Sequence, residues 1–274
     1  MRAVALALLL AAAGVAHARV VTVGGAATEI VFALGAGDRL VATDSTSVWP
    51  EAAKALPKVG YMRSLSAEGV LSLRPEQVLV TADTGPAAAI AQLRAAGAKV
   101  TTLDAAHSIE GLRRNVRTVA DALGVPERGA ALDQRIADAW RDTQSAVAAT
   151  AGRPRVLFVL AHGGRAQTMV SGTGTAADAM ISLAGGTNPL AGVKGYKPLT
   201  AEGALGAAPD VILVTREGLE SFGGARALLA HPGLALTPAG KAGRVVSFDA
   251  LYLLGFGPRT PEAVRALADA IHGR

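Results

Sequence analysis

A phenol and a guanidinium stand two residues apart in "GYMRSLSAEG", residues 60–69, at Tyr61 and Arg63, and a carboxylate follows at Glu68. A loop tyrosine is either half-buried packing or a ligand. A free phenol ionises near pH ~10, so a phenolate at neutral pH needs a neighbouring cation or metal. Arginine suits that task, because its guanidinium stays charged and offers several donors. The string nearly recurs from Gly195 as "GYKPLTAEG", which supplies Tyr196, Lys197 and Glu202. His162 is a further candidate: it follows a predicted strand, Arg155–Leu160, and open α/β sheets present ligand-contacting groups at the carboxyl ends of strands.

Other chemistries find no constellation. The chain has no cysteine, which removes disulfides, thiolate metal sites and cysteine nucleophiles. "GTGTAA" at 172–177 satisfies a dinucleotide fingerprint and precedes a helix, but no acidic residue follows at the required distance, so it reads as a tight turn. Phosphate-loop, nucleophile-elbow and HExxH patterns do not occur. Asp44 and Asp83 lie near strand ends without a His or Lys to complete an acid–base pair. The formal charge of +5 is spread along the chain rather than gathered in an aromatic-rich basic run, which argues against nucleic acid and suits a small anionic ligand.

The elements that must position these residues are those of an α/β protein. Of 274 residues half are apolar, enough for one or two globular units. Residues 1–18 read as a cleavable secretory leader: Arg2, an Ala/Leu/Val run from Ala3 to Val15, then Ala16-His17-Ala18. Strands are predicted at Val20–Val23, Leu40–Thr43, Val78–Val80, Lys99–Leu103, Arg155–Leu160, Val211–Val214 and Val245–Phe248. Helical stretches fall between them at Thr28–Leu34, Pro86–Ala96, Ser108–Leu123, Ala176–Ala184, Ala225–Leu229 and Pro261–His272. Glu127–Ala149 stands apart as a long mid-chain helix, with Pro126 at its start and Gly152 and Pro154 past its end. It is either a spacer between two lobes or an ordinary packed helix.

The repeat decides for the spacer. "LSAEGVLSLRPEQVLVT" from Leu65 aligns with "LTAEGALGAAPDVILVT" from Leu199 at a constant offset of 134. Each copy reads as a loop, a helix capped by Ser66 or Thr200, a proline (Pro75 or Pro209) that ends the helix, and a strand. Glu68 and Glu202 fall in the first helical turn, where the dipole favours a carboxylate. Capping alone does not explain why a whole unit recurs. The layout is therefore a leader (1–18), a first α/β lobe (19–125), a linking helix (126–152) and a second α/β lobe (153–274), with a ligand cleft between the lobes.

Several stretches, in order, resemble one family: "VTVGGAATEIVFALGAGDRLVATDSTSVWP", "VGYMRSLSAEGVLSLRPEQVL", "GTGTAADAMISLAGGTNP", "GYKPLTAEGALGAAPDVILV" and "LLGFGPRTPEAVRALA". The sequence is similar to the periplasmic haem-binding proteins of bacterial ABC haem importers, within the cluster that also holds vitamin B12 and ferric-siderophore binding proteins. That resemblance implies two Rossmann-like lobes with mainly parallel sheets, joined by one backbone helix. It implies ferric haem b as cargo, with Tyr61 as iron ligand and Arg63 supporting the phenolate or a propionate; a phenolate is a known axial haem ligand. His162 is implied as a second iron ligand where two haems stack. Lys197 and Arg259 become propionate contacts, and Tyr196 and Tyr252 cleft walls. Glu68 and Glu202 become docking points for the permease dimer and its ATPase subunits, in a monomeric periplasmic protein. The rivals are a siderophore or corrinoid cargo on the same fold and, more remotely, an exported α/β hydrolase or transferase.

Overall fold

The computed structural model describes residues 18–105, 107–160 and 168–274. All of the expected leader but Ala18, and also His162, lie outside the described residues. The first lobe is built on β1 (Val20–Val23), β2 (Leu40–Thr43), β3 (Gln77–Val80) and β4 (Lys99–Thr102). They form one sheet in the order β2-β1-β3-β4, with every pairing parallel. Both faces of the central strands β1 and β3 are covered, which is why they read as nearly continuous apolar runs rather than alternating ones, whereas the edge strand β4 is polar and partly exposed. Val20 and Leu79 pack on one side with Ile30, Leu112 and Val116. Val21, Val78 and Val80 pack on the other with Val70 and Leu93.

The second lobe carries β5 (Val156–Leu160), β6 (Met169–Ser171), β7 (Tyr196–Pro198), β8 (Val211–Thr215) and β9 (Val245–Phe248), in the order β7-β6-β5-β8-β9. β5, β8 and β9 pair in parallel, whereas β6 and β7 are an antiparallel edge. Sequence periodicity does not show that edge: each of its strands is three residues long, and Pro198 removes a backbone donor. Its antiparallel run keeps the architecture mainly, not wholly, parallel.

The linking helix runs Pro126–Ala148, with proline in its first turn, where a missing N–H costs nothing. Its 23 residues span roughly 34 Å at 1.5 Å per residue. Leu132 and Ile136 belong to the first lobe's core. Further along, buried Thr143 donates to the Pro261 carbonyl of the second lobe at 3.0 Å. Among the described residues no helix is long and apolar enough to cross a membrane.

The repeat is structural as well as sequential. Ser66 and Thr200 each accept from the amide three residues on, at Gly69 and Gly203, and so cap the helices Ala67–Leu71 and Ala201–Ala207. Each unit then turns through a left-handed residue immediately before its proline, Arg74 (φ 47°) and Ala208 (φ 40°). Helix termination therefore lies with that turn, since the first helix stops at Leu71, well short of Pro75. An arginine preceding each lobe's first strand closes the unit. Arg19 donates through Nε and Nη2 to the Leu73 carbonyl, and Arg155 does the same to the Ala207 carbonyl. Their backbone amides are accepted by Glu76 and Asp210. Leu73, Arg74 and Glu76 match Ala207, Ala208 and Asp210 at the same offset of 134.

Candidate functional site

The turn bearing Tyr61 begins with Gly60, whose φ of 101° is open to glycine and strained for other residues. Its carbonyl accepts from Ser45 N–H at 2.8 Å, which ties the turn to the segment after β2. Tyr61 is 44% exposed, one of few large apolar or aromatic side chains left open. It leads into the single turn Met62–Ser64, anchored by buried Met62. Arg63, on that turn, donates through Nη2 to Asp83 Oδ2 at 2.9 Å. Asp83 follows the end of β3, in a loop turned by Thr84 N–H donating to Thr81 O.

Tyr196, the first residue of β7, brings the second lobe to this cluster. Burial pushes its hydroxyl's ionisation up, while the charge of Arg63 pulls the other way. Arg63 is in turn held in its charged form first by the bond to Asp83, with Tyr61 and Tyr196 adding to it. Arg63 thus feels the hydroxyls of Tyr61 in its own lobe and of Tyr196 in the other, and among the described residues its hydrogen bond is the one to Asp83.

A second inter-lobe cluster lies around Arg259. Its Nη2 and Nε donate to Glu29 Oε1 and Oε2 at 2.6 and 3.0 Å, joining the second lobe to the helix Gly25–Ala33 of the first. The guanidinium lies 4.5 Å from the centre of the Trp49 ring and 5.1 Å from that of Tyr252. Stacking on two rings favours a cation that has left bulk water. Tyr252 donates its hydroxyl to Glu262 at 3.0 Å; burial first, then that carboxylate, push its ionisation well above the usual phenol range. Nearby, His107 of the first lobe packs its ring 5.2 Å from that of Phe256 in the second.

The other expected residues are placed differently. Lys197 follows Tyr196 on β7, and alternation along a strand turns neighbours to opposite faces. It lines an apolar hollow with Leu157, Val170, Leu190 and Thr200, away from the core against which Tyr196 packs. Lys197 and Tyr196 thus face opposite sides of β7. Glu68 and Glu202 are exposed on their capped helices, with no ion pair among the described residues.

Four residues of the inter-lobe region were not anticipated: Glu29, Trp49, Asp83 and His107. Asp83 has no His or Lys beside it in sequence, and its partner is the arginine 20 positions earlier. Asp44, the other carboxylate near a strand end, is fully buried and accepts from Gly24 N–H, Thr46 N–H and the hydroxyls of Thr46 and Ser47. It pins the segment that carries Trp49. Glu29 gave no signal, because its partner lies 230 positions away. Among the described residues no cluster of three His, Asp or Glu side chains offers a protein-only metal site.

Solved structures of the same shape include the periplasmic heme-binding protein BhuT in complex with two hemes. It is 53% identical, with a TM-score of 0.90 over 93% of this chain and 98% of that one. RhuT, a periplasmic heme-binding protein from Roseiflexus sp. RS-1 in apo form, is 42% identical, with the same TM-score and coverage. A cobalamin-binding protein of Halobacterium salinarum is 30% identical over 269 residues, covering 93% of this chain and 69% of its own length. The family model for periplasmic binding proteins matches residues 20–252. With that match and two lobes meeting around a tyrosine–arginine cluster, this chain belongs to the periplasmic binding protein family.

Proposed function

We propose that this chain captures ferric haem b between its lobes in the periplasm and delivers it to an inner-membrane ABC importer. The observation that carries the reading is exposed Tyr61 beside Arg63, with Tyr196 opposite. Ferric iron is a hard acid that a phenolate satisfies, and the adjacent guanidinium favours the ionised oxygen. The heme-binding relatives support haem as the cargo. In this reading Tyr61 ligates iron, and Tyr196 and Tyr252 wall the porphyrin. Arg259, with donors left over from Glu29, faces a propionate, and Lys197 serves only at the rim. His162 is the second ligand if two haems stack. The leader directs export, and the protein acts as a monomer whose Glu68 and Glu202 meet the two halves of a permease.

Titration of the purified protein with hemin tests this. Saturable binding with a Soret band and the charge-transfer absorption of a tyrosinate ferric haem is expected, with the latter lost in Tyr61→Phe. Absence of saturable binding overturns the cargo, and an unchanged Tyr61→Phe spectrum overturns the ligand. The cobalamin-binding relative makes a corrinoid the second reading, checked by the same titration with cobalamin.

A further inference from the structure

We infer that Asp83 is a positioning residue for the haem site: it aims Arg63 so that the remaining guanidinium donors serve the Tyr61 phenolate. The inference rests on the reading of Tyr61 as iron ligand. Arg63 meets Asp83 through one nitrogen, Nη2, at 2.9 Å, and both side chains are more than half exposed, at 63% and 54%. A pair so exposed contributes little to stability, and it is not needed to hold the two loops together. The backbone already does that, with Gly85 N–H donating to Met62 O and Leu65 N–H to Gly85 O, each at 2.9 Å.

What the carboxylate does decide is direction. Arginine has a long, rotamer-rich stem, and an exposed one without a partner disperses its guanidinium into solvent. One bond at Nη2 restricts where the guanidinium points and, among the described residues, leaves Nε and Nη1 without a hydrogen-bond partner. Among the described residues, the titratable groups that Arg63 and Asp83 feel are Tyr61 before the turn, Tyr196 on β7 and His107 beyond β4. Burial holds His107 toward its neutral form, against the pull of Asp83. It therefore competes weakly for the carboxylate at neutral pH.

Acid titration of the hemin-loaded protein tests the assignment, read as the pH midpoint at which tyrosinate-to-iron absorption is lost. Asp83→Asn is expected to raise the midpoint by about one pH unit, because the phenolate loses a nearby aimed cation. Asp83→Glu, which keeps the charge and adds one carbon of reach, is expected to restore most of the difference. In an Arg63→Ala background Asp83→Asn should add nothing, since the two residues act as one unit. A midpoint that stays put or falls in Asp83→Asn overturns the inference; a fall means that Asp83 merely offsets the charge of Arg63. A full shift without Arg63 overturns it as well. An unchanged Tyr61→Phe spectrum is a distinct result that removes the ligand reading and this inference together.

Discussion

Arg259 of the second lobe clasps Glu29 of the first through both carboxylate oxygens, at 2.6 and 3.0 Å, and only 4% of the glutamate side chain is exposed. The lobes are thus joined by charge as well as by the linking helix.

Removing one partner strands the other. Glu29→Ala leaves a largely buried guanidinium without its counter-charge, and a loss of about 3 kcal/mol is expected in urea unfolding. Glu29→Gln isolates the titration. Burial outweighs Arg259 and raises the Glu29 carboxyl above its ordinary 4.5. A group raised on folding contributes stability that is fully present below the unfolded value and is lost as pH rises through the folded one. Thermal unfolding from pH 4.5 upward should therefore show a decline in the wild type that is shallower in Glu29→Gln.

Asp133 predicts the opposite sign. Arg113 donates to both its oxygens at 2.8 and 2.9 Å, Arg117 adds a third contact, and the carboxyl is held below its ordinary 3.8, chiefly by the Arg113 bond. This contribution is present above 3.8 and is lost as pH falls through the lowered value. Asp133→Asn should lower the Tm at pH 7, and the difference from wild type should shrink in strong acid.

Gly172 opens the "GTGTAA" turn. A Cβ there would fall on the Val193 carbonyl, which accepts from Thr173 N–H, while Gly172 N–H itself donates to Gly195 O. Gly172→Ala is expected to cost about 2 kcal/mol or more and to loosen β7 with Tyr196. Unfolding and hemin titration of the variant check both.

Glu68→Ala with Glu202→Ala removes two exposed carboxylates while Ser66 and Thr200 still cap their helices. Hemin binding should be intact and stimulation of the transporter's ATPase abolished. Loss of hemin binding would show that docking and capture are not separate.

Much of this was legible in the sequence, for identifiable reasons. Parallel strands buried on both faces leave short apolar runs, so β1, β2 and β9 fall at their predicted bounds and the others within a residue or so. The edge β6–β7 was not, since three-residue strands carry too little pattern. Local chemistry was readable where sequence neighbours stay neighbours, as with the capped helices of Glu68 and Glu202. It was unreadable where the fold joins distant residues: Arg63 to Asp83, Glu29 to Arg259, His107 to Phe256. Lys197 shows a different limit, because one position along a strand reverses which way a side chain faces.

Trp140, two-thirds of the way along the linking helix, packs against the cores of both lobes. Each lobe has its own sheet and could be imagined melting alone. Yet one indole forms part of the wall of both interiors, so loss of either lobe opens a void beside the other. The molecule should accordingly unfold in one calorimetric step, and Trp140→Ala should divide that step into two.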